Sequence, residues 1–382
     1  QEVDYASLTA WKTPLLESAA RRFLHRGSAR REAYDDFCAR HAPWIDAFAL
    51  FRAVKEYFDN RAARDGYWGA TWNRYWDKDI ALQEPAAVER WRQRLSDRIE
   101  LHRACQFFFF EQWLSLRRYA NARGVTIIGD MPIFVALDSA DVWTHPPCFK
   151  LNRSGRPKAV SGVPPDYFST TGQLWGHPVY DWKRLQEEGY GWWVDRMQHH
   201  LQLYDLTRID HFRGLVAYWE VPALAKTAVN GHWEEVPGRE LFTKLFSHSH
   251  DLPIIADELG VFTPYVEKLR EDFGLPGMKI LHFAFDYGPD NPYLPENHVA
   301  NSVVYTGTHD NNTTLGWWRG LSREQKDQVR EYLQLNRPKM PQELIRLAMS
   351  SVAMLCIIPC QDILGLDSGS RFNTPGRATG NW

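Results

Sequence analysis

The chain has 382 residues, with 45 Lys and Arg against 47 Asp and Glu and a formal charge of −2. That length suits one large α/β barrel with an insertion, or two to three domains, and the even charge balance excludes a nucleic-acid backbone or an anionic membrane as first partner. Apolar residues at 44% and charged residues at 24% exclude disorder, while 17 Trp against 16 Tyr is an excess of flat, amphipathic side chains.

Residues 1 to about 98 are dense in charge and aromatics, with helical spacing from Asp46 to Phe58 and from Val88 to Ile99, and are expected to be mostly helical. A long helix is predicted from Ile99 to Arg123, ended by Gly124, after which Val125-Thr126-Ile127-Ile128-Gly129-Asp130 reads as a short strand closing on a carboxylate. Further strands are predicted at Leu206–Asp210, Pro253–Glu258, Met278–Phe283, Val303–Thr308 and Ala353–Pro359. Such nearly continuous apolar runs, separated by helices, indicate a parallel sheet buried on both faces. Pro132 to Asp181, rich in Gly, Pro, Trp and Tyr, reads as a long loop that is part of a binding surface.

Four of the runs end in acids: Asp130, Asp210, the Asp257-Glu258 pair and His309-Asp310. In a (β/α)8 barrel the C-terminal strand ends carry the chemistry. A doubly wound sheet also binds ligands there, but its glycine-rich phosphate turn is missing, so the barrel is the expected fold, with six of its eight strands visible. Five scattered cysteines without CxxC spacing read as buried thiols of a reducing compartment. The longest apolar stretches are too short to span a bilayer, and Gln1-Glu2-Val3-Asp4 carries no secretory leader pattern, so a cytoplasmic protein is expected.

Arg208 and Asp210 stand two apart on one strand and point to the same face, with Ile209 opposite. A neighbouring guanidinium favours the ionised carboxylate, as a nucleophile requires; the alternative is a structural ion pair. Asp257 or Glu258 could supply a proton, in the two-carboxylate arrangement of retaining glycosidases, and Asp310 could stabilise a developing oxocarbenium charge. Metal binding by the clustered acids competes with this reading, although His211 and His309 lack HExxH or facial-triad company. A Ser/His/Asp site lacks its GxSxG elbow. Trp175 is either a sugar-stacking platform or a loop anchor; Trp192-Trp193 and Trp317-Trp318 read as helix packing, and Phe107 to Phe110 as core.

Five stretches carry a resemblance: Ile128-Gly129-Asp130-Met131-Pro132-Ile133-Phe134-Val135, Gly162-Val163-Pro164-Pro165-Asp166-Tyr167-Phe168, Gly172-Gln173-Leu174-Trp175-Gly176, Arg208-Ile209-Asp210-His211-Phe212-Arg213-Gly214 and Tyr305-Thr306-Gly307-Thr308-His309-Asp310-Asn311. They are similar to the amylomaltases, or 4-α-glucanotransferases, of glycoside hydrolase family 77 in the α-amylase clan. The resemblance runs from Val3-Asp4-Tyr5 to Gly380-Asn381-Trp382. It implies a (β/α)8 TIM barrel of which strands three to eight lie here, the family's chain continuing at both ends, with residues 1–98 a helical insertion, 99–382 the barrel core and 132–181 a substrate-binding loop region.

It also implies transfer of α-1,4-glucan segments between maltooligosaccharides in starch and glycogen metabolism, with no metal, nucleotide or other cofactor. Asp210 would be the nucleophile and Asp310 the stabilising aspartate. Arg208 and His309 would hold the nucleophile and the reacting sugar, and Asp130, Gln173 and Trp175 would line neighbouring subsites. The alternatives carried beside it are an α-glucan hydrolase and a non-catalytic glucan-binding protein. Two departures stand out. Where the family reads Ala-Glu-Asp-Leu-Gly, with Glu as acid/base, this chain has Ala256-Asp257-Glu258-Leu259-Gly260, and where it reads Gly-Ser-Glu-Ala-Arg, this chain has Asp367-Ser368-Gly369-Ser370-Arg371. Adjacent strand residues leave on opposite faces, so only one of Asp257 and Glu258 faces the site easily.

Overall fold

The structure is a computed structural model that describes residues 3–25, 30–165, 169–249, 251–258, 263–286, 288–377 and 380–382. The Asp166-Tyr167-Phe168 and Leu259-Gly260 parts of the motifs above lie outside these. Two units divide the chain: Gln1–Leu206 with Ala217–Asp251, and Thr207–Val216 with Leu252–Trp382.

The first unit begins with helices. Tyr5–His25, Arg31–Arg64 and Ser96–Asn121 pack together through Phe23, Tyr34, Phe37, Phe107 and Phe110, whose rings meet at 5.4–5.7 Å. The run Phe107 to Phe110 is not uniformly core: 107 and 110 are buried, but Phe109 is 45% exposed, because successive residues point about 100° apart around a helix. The long helix ends as its sequence predicts, with Gly124 at φ 72° and the Val125 amide bonding back to Ala120 O. Helix packing thus continues past residue 98 to Asn121.

β1 (Ile128–Pro132) follows, and then a four-stranded antiparallel sheet that the sequence did not reveal: β2 (Ala159–Val163), β3 (Gln173–Pro178), β5 (Ala217–Pro222) and β6 (His232–Glu235), in the order β3-β2-β5-β6. β2 and β3 fall inside the stretch read as loop. They are short, broken by Gly162 and Gly176 and ended by Pro178, so no alternating pattern survives, and their pairing with β5 depends on residues far along the chain. Gly172 makes the β2–β3 turn possible: its φ is +65°, and a Cβ there would lie 2.3 Å from Val163 O. Lys150 ties β5 to β6 through Glu220 at 2.8 Å and Glu234 at 2.7 Å.

The second unit is built on parallel strands: β4 (Leu206–Asp210), β7 (Ile254–Ala256), β8 (Gly277–Ile280), β9 (Ser302–Tyr305) and β10 (Leu355–Ile357), hydrogen-bonded in chain order. All six predicted runs are therefore strands, counting β1. Spatial order that follows chain order, without a reversal point, is the arrangement of a curling barrel sheet and not of a doubly wound one. Helix Pro264–Asp272 joins β7 to β8, and Thr314–Gly320, Arg323–Leu333 and Gln342–Met349 lie between β9 and β10. β7, β8 and β9 are buried at every position, as strands covered on both faces are. The cysteines carry no disulfide, but Cys148 alone is fully buried and Cys360 is exposed, so the expectation of five buried thiols is corrected. No described helix is long and apolar enough to cross a membrane.

Candidate active site

Two residues before the end of β4, Arg208 is placed by strand alternation on the face that Asp210 shares, while Ile209 is fully buried on the other. Its Nη2 donates to Asp210 Oδ1 at 3.0 Å and to Asp257 Oδ2 at 2.5 Å. Two carboxylate oxygens sharing one nitrogen at those distances can be no more than 5.5 Å apart. That bound admits the spacing of about 5–5.5 Å in retaining glycosidases and is short of the 6.5–9.5 Å of inverting ones. The environments differ: the Asp210 side chain is 43% exposed and open to a ligand, whereas Asp257 is buried.

Immediately after Asp210, His211 adopts a left-handed backbone (φ 56°) that aims its amide at Asp257 Oδ2, 3.3 Å away. Burial holds the His211 imidazole down at about 4, so it is neutral at pH 7. Left-handed residues other than glycine are uncommon and cluster where surroundings over-determine them. Glu258 points elsewhere. Its carboxylate accepts from Arg270 Nε at 2.9 Å in a pair that is nearly inaccessible on both sides.

His309 and Asp310 follow β9 and form a second group, with His309 Nε2 3.6 Å from Asp310 Oδ2. The C-terminal segment holds them. Asn373 Nδ2 donates to Asp310 Oδ1, Arg371 Nη2 to Asp310 O, and the Asn373 amide to His309 O, while the Trp382 ring lies 5.3 Å from that of His309. Sequence reasoning missed Asn373 and Trp382 in this role, since more than 60 residues separate Asn373 from Asp310; Arg371, the retained residue of the departing Asp367–Arg371 stretch, was the available signal. Replacing Asn373 with Ala frees the Asp310 carboxylate to move. On the role that the resemblance implies for Asp310, transfer from maltotriose is then expected to fall by up to about 10²-fold, the cost of a misplacement of about 1 Å, with the melting temperature nearly unchanged.

Deeper still, buried Asp362 accepts from Thr306 Oγ1 (2.6 Å), Thr314 Oγ1 (2.6 Å) and the Thr314 amide (2.7 Å). These bonds pin both ends of the segment bearing His309 and Asp310. Because the Thr314 hydroxyl hydrogen goes to Asp362, His282 Nε2 must donate to Thr314 Oγ1, 2.9 Å away; its ring also stacks on Trp317 at 4.8 Å. Burial drives His282 down to about 4 from an ordinary 6.5. Between those values the unfolded chain binds more protons than the folded one, so this stability is complete above about 6.5 and is lost as pH falls toward 4. Thermal melts from pH 7 to 4.5 are expected to show a falling midpoint, and His282→Gln, which keeps the donor without the titration, a shallower fall.

Asp130, Gln173 and Trp175 belong to the first unit. Asp130 is exposed on β1, and Trp175 Nε1 donates to Gln173 Oε1 at 3.2 Å on β3. The Trp175 ring is half-buried, edge-on to Phe134 at 6.4 Å; Phe134 in turn stacks on Tyr180 and meets Tyr218 edge-on. Phe134 thus braces the half-buried ring at its edge, as a loop anchor is braced.

The family model for 4-α-glucanotransferases, glycoside hydrolase family 77, matches residues 1–382. The chain belongs to this family. It is 47% identical over 389 aligned residues to the 4-α-glucanotransferase of Thermus thermophilus and 48% identical over 385 to that of Synechocystis, covering all of this chain and 76% and 74% of theirs. Amylomaltase from Streptococcus agalactiae, solved in complex with acarbose, superposes with a TM-score of 0.94 at 40% identity, over all of this chain and 76% of that one. The glucanotransferase family thereby accounts for the parallel half-barrel sheet of the second unit, an α/β fold consistent with part of a TIM barrel.

Proposed function

We propose that this chain is a retaining 4-α-glucanotransferase acting on α-1,4-glucans and maltooligosaccharides. The observation that supports the reading is the single Arg208 nitrogen shared by Asp210 and Asp257, which holds an oxygen of each within 5.5 Å of the other at the C-terminal ends of neighbouring parallel strands. Asp210, the more open of the two, attacks the anomeric carbon of the donor. The glycosidic oxygen takes a proton from Asp257 as its bond to carbon breaks, and the shortened glucan departs. The 4-hydroxyl of an acceptor glucan then gives its proton back to Asp257 and displaces Asp210 from the sugar. His309 and Asp310 hold hydroxyls of the reacting glucose where hydrogen bonds strengthen as positive charge develops. Transfer in place of hydrolysis requires an acceptor bound more effectively than water, and Asp130, Gln173 and the braced Trp175 are the residues we assign to flanking subsites.

The parallel strands are read as strands three to eight of an eight-stranded barrel, with residues 1–98 as a helical insertion, 99–382 as barrel core and 132–181 contributing substrate contacts. Action in the cytoplasm goes with this reading and is supported by five free thiols. Incubation with maltotriose tests the function: glucose plus a ladder of longer maltooligosaccharides is the expected product set. Shortening without elongation indicates a hydrolase, and binding without turnover a glucan-binding protein.

A further inference from the structure

Two adjacent carboxylates at the end of β7 leave the chain in opposite directions. Asp257 turns to Arg208 and the His211 amide. Glu258 enters a sealed recess, its side chain 3% exposed against an Arg270 side chain that is 6% exposed. Arg270 comes from helix Pro264–Asp272 and also donates Nη1 to Leu275 O at 3.1 Å, fastening that helix to the turn entering β8. Gly277 at the start of β8 leaves the necessary room: a Cβ there would lie 2.0 Å from Glu258 Oε1. Lys279, further along β8, is also buried, and its charge and that of Arg270 counter the burial that pushes the Glu258 carboxyl up. The recess fits a carboxylate of glutamate's reach, since an aspartate would fall short of Arg270 by one methylene, about 1.5 Å.

We propose that Glu258 is a positioning residue: its ion pair with Arg270 fixes the facing of the two acids after β7, and so presents Asp257, and not itself, to the bond being broken. This rests on the transfer reading above. Were Glu258 released from Arg270, the chain after Ala256 could turn by one residue and the Asp257 carboxylate would leave Arg208.

Two donors separate the roles. Maltotriose needs a proton on its departing oxygen. Maltosyl fluoride does not, because Asp210 displaces fluoride, which leaves with the bonding electron pair. In Glu258→Gln, turnover of maltotriose is expected to fall at least about tenfold while first-turnover release of fluoride from maltosyl fluoride, the step that precedes Asp257's work as base, stays near the parent's. Adding Arg270→Met removes the second buried charge, and for stability the loss of both partners is far milder than the loss of one; the double variant is expected to regain melting temperature but, lacking the pair, not maltotriose turnover, and recovered turnover overturns the proposal. If Arg270→Lys, which keeps Glu258 but loses the fork, leaves maltotriose turnover at the parent's level while Glu258→Gln abolishes it, Glu258 is itself the proton donor and the proposal fails. It fails also if Glu258→Gln lowers only the melting temperature and leaves both rates at the parent's level. Arg270→Lys, which keeps the charge and loses the fork, reads the same donor ratio should the glutamine variant not fold. A parent inactive on both donors overturns the transfer reading alone. Positioning is then decided by the Asp257 carboxyl 13C chemical shift, expected to move in Glu258→Gln and overturned if it does not.

Discussion

Asp210→Asn is expected to abolish glucan transfer, with turnover of maltotriose reduced on the order of 10⁴-fold or more, the scale on which loss of a covalent nucleophile is felt. The amide is nearly isosteric and its oxygen can still accept from Arg208, whose guanidinium also keeps Asp257 as partner. Since the Asp210 side chain is 43% exposed, its replacement strands no buried charge, and maltooligosaccharide affinity by calorimetry is expected to stay within a few-fold of the parent's. The parent treated with maltosyl fluoride should carry a maltosyl ester on the peptide containing Arg208 to Arg213, detectable by mass spectrometry after acid quench, and the variant none. Near-normal turnover by the variant would remove Asp210 from the role.

What the sequence disclosed followed the reach of local rules. The six apolar runs needed only strand length and composition, and Arg208-Ile209-Asp210 only alternation. The resemblance added Gln173, the subsite roles and the family. The antiparallel sheet of β2, β3, β5 and β6 stayed hidden because its strands are short, β2 and β3 are broken by glycine, and the central pairing of β2 with β5 spans a gap of about fifty residues. The brace on Asp310 was hidden for a related reason: Asn373, Arg371 and Trp382 reach it from the far end of the chain, and no periodicity reports that return. Phe109 was misread because a four-residue aromatic run cannot be wholly buried on one face of a helix. Glu258 is the most instructive case. Alternation separates it from Asp257, but which acid faces Arg208 depends on Arg270 and Gly277, in a helix and a strand that follow later.

That division of labour sets the last expected result. On the reading proposed above, Asp257 takes the place of the family's acid/base glutamate with a carboxyl one methylene, about 1.5 Å, short of a glutamate's, and a misplacement of about 1 Å can cost on the order of 10²-fold in rate. Asp257→Glu is therefore expected to raise transfer from maltotriose at least about tenfold, with first-turnover fluoride release from maltosyl fluoride little changed because that step needs no acid. The single change leaves the Glu258–Arg270 pair intact. The full exchange, Asp257→Glu with Glu258→Asp, restores the family's order but pulls the second carboxylate back from Arg270 Nε, now 2.9 Å from Glu258 Oε2. The exchange is thus expected to gain as well, but less than the single variant, by the share of positioning that the weakened pair gives up. The comparison is made on one preparation scale with both donors and the melting temperature of each variant. A rise in both rates together would place the limitation at nucleophilic attack and not at proton delivery. A loss of maltotriose turnover in Asp257→Glu, with its fold intact, would mean that the shorter aspartate is already matched to its site, and that the chain has rebuilt the acid's surroundings around it.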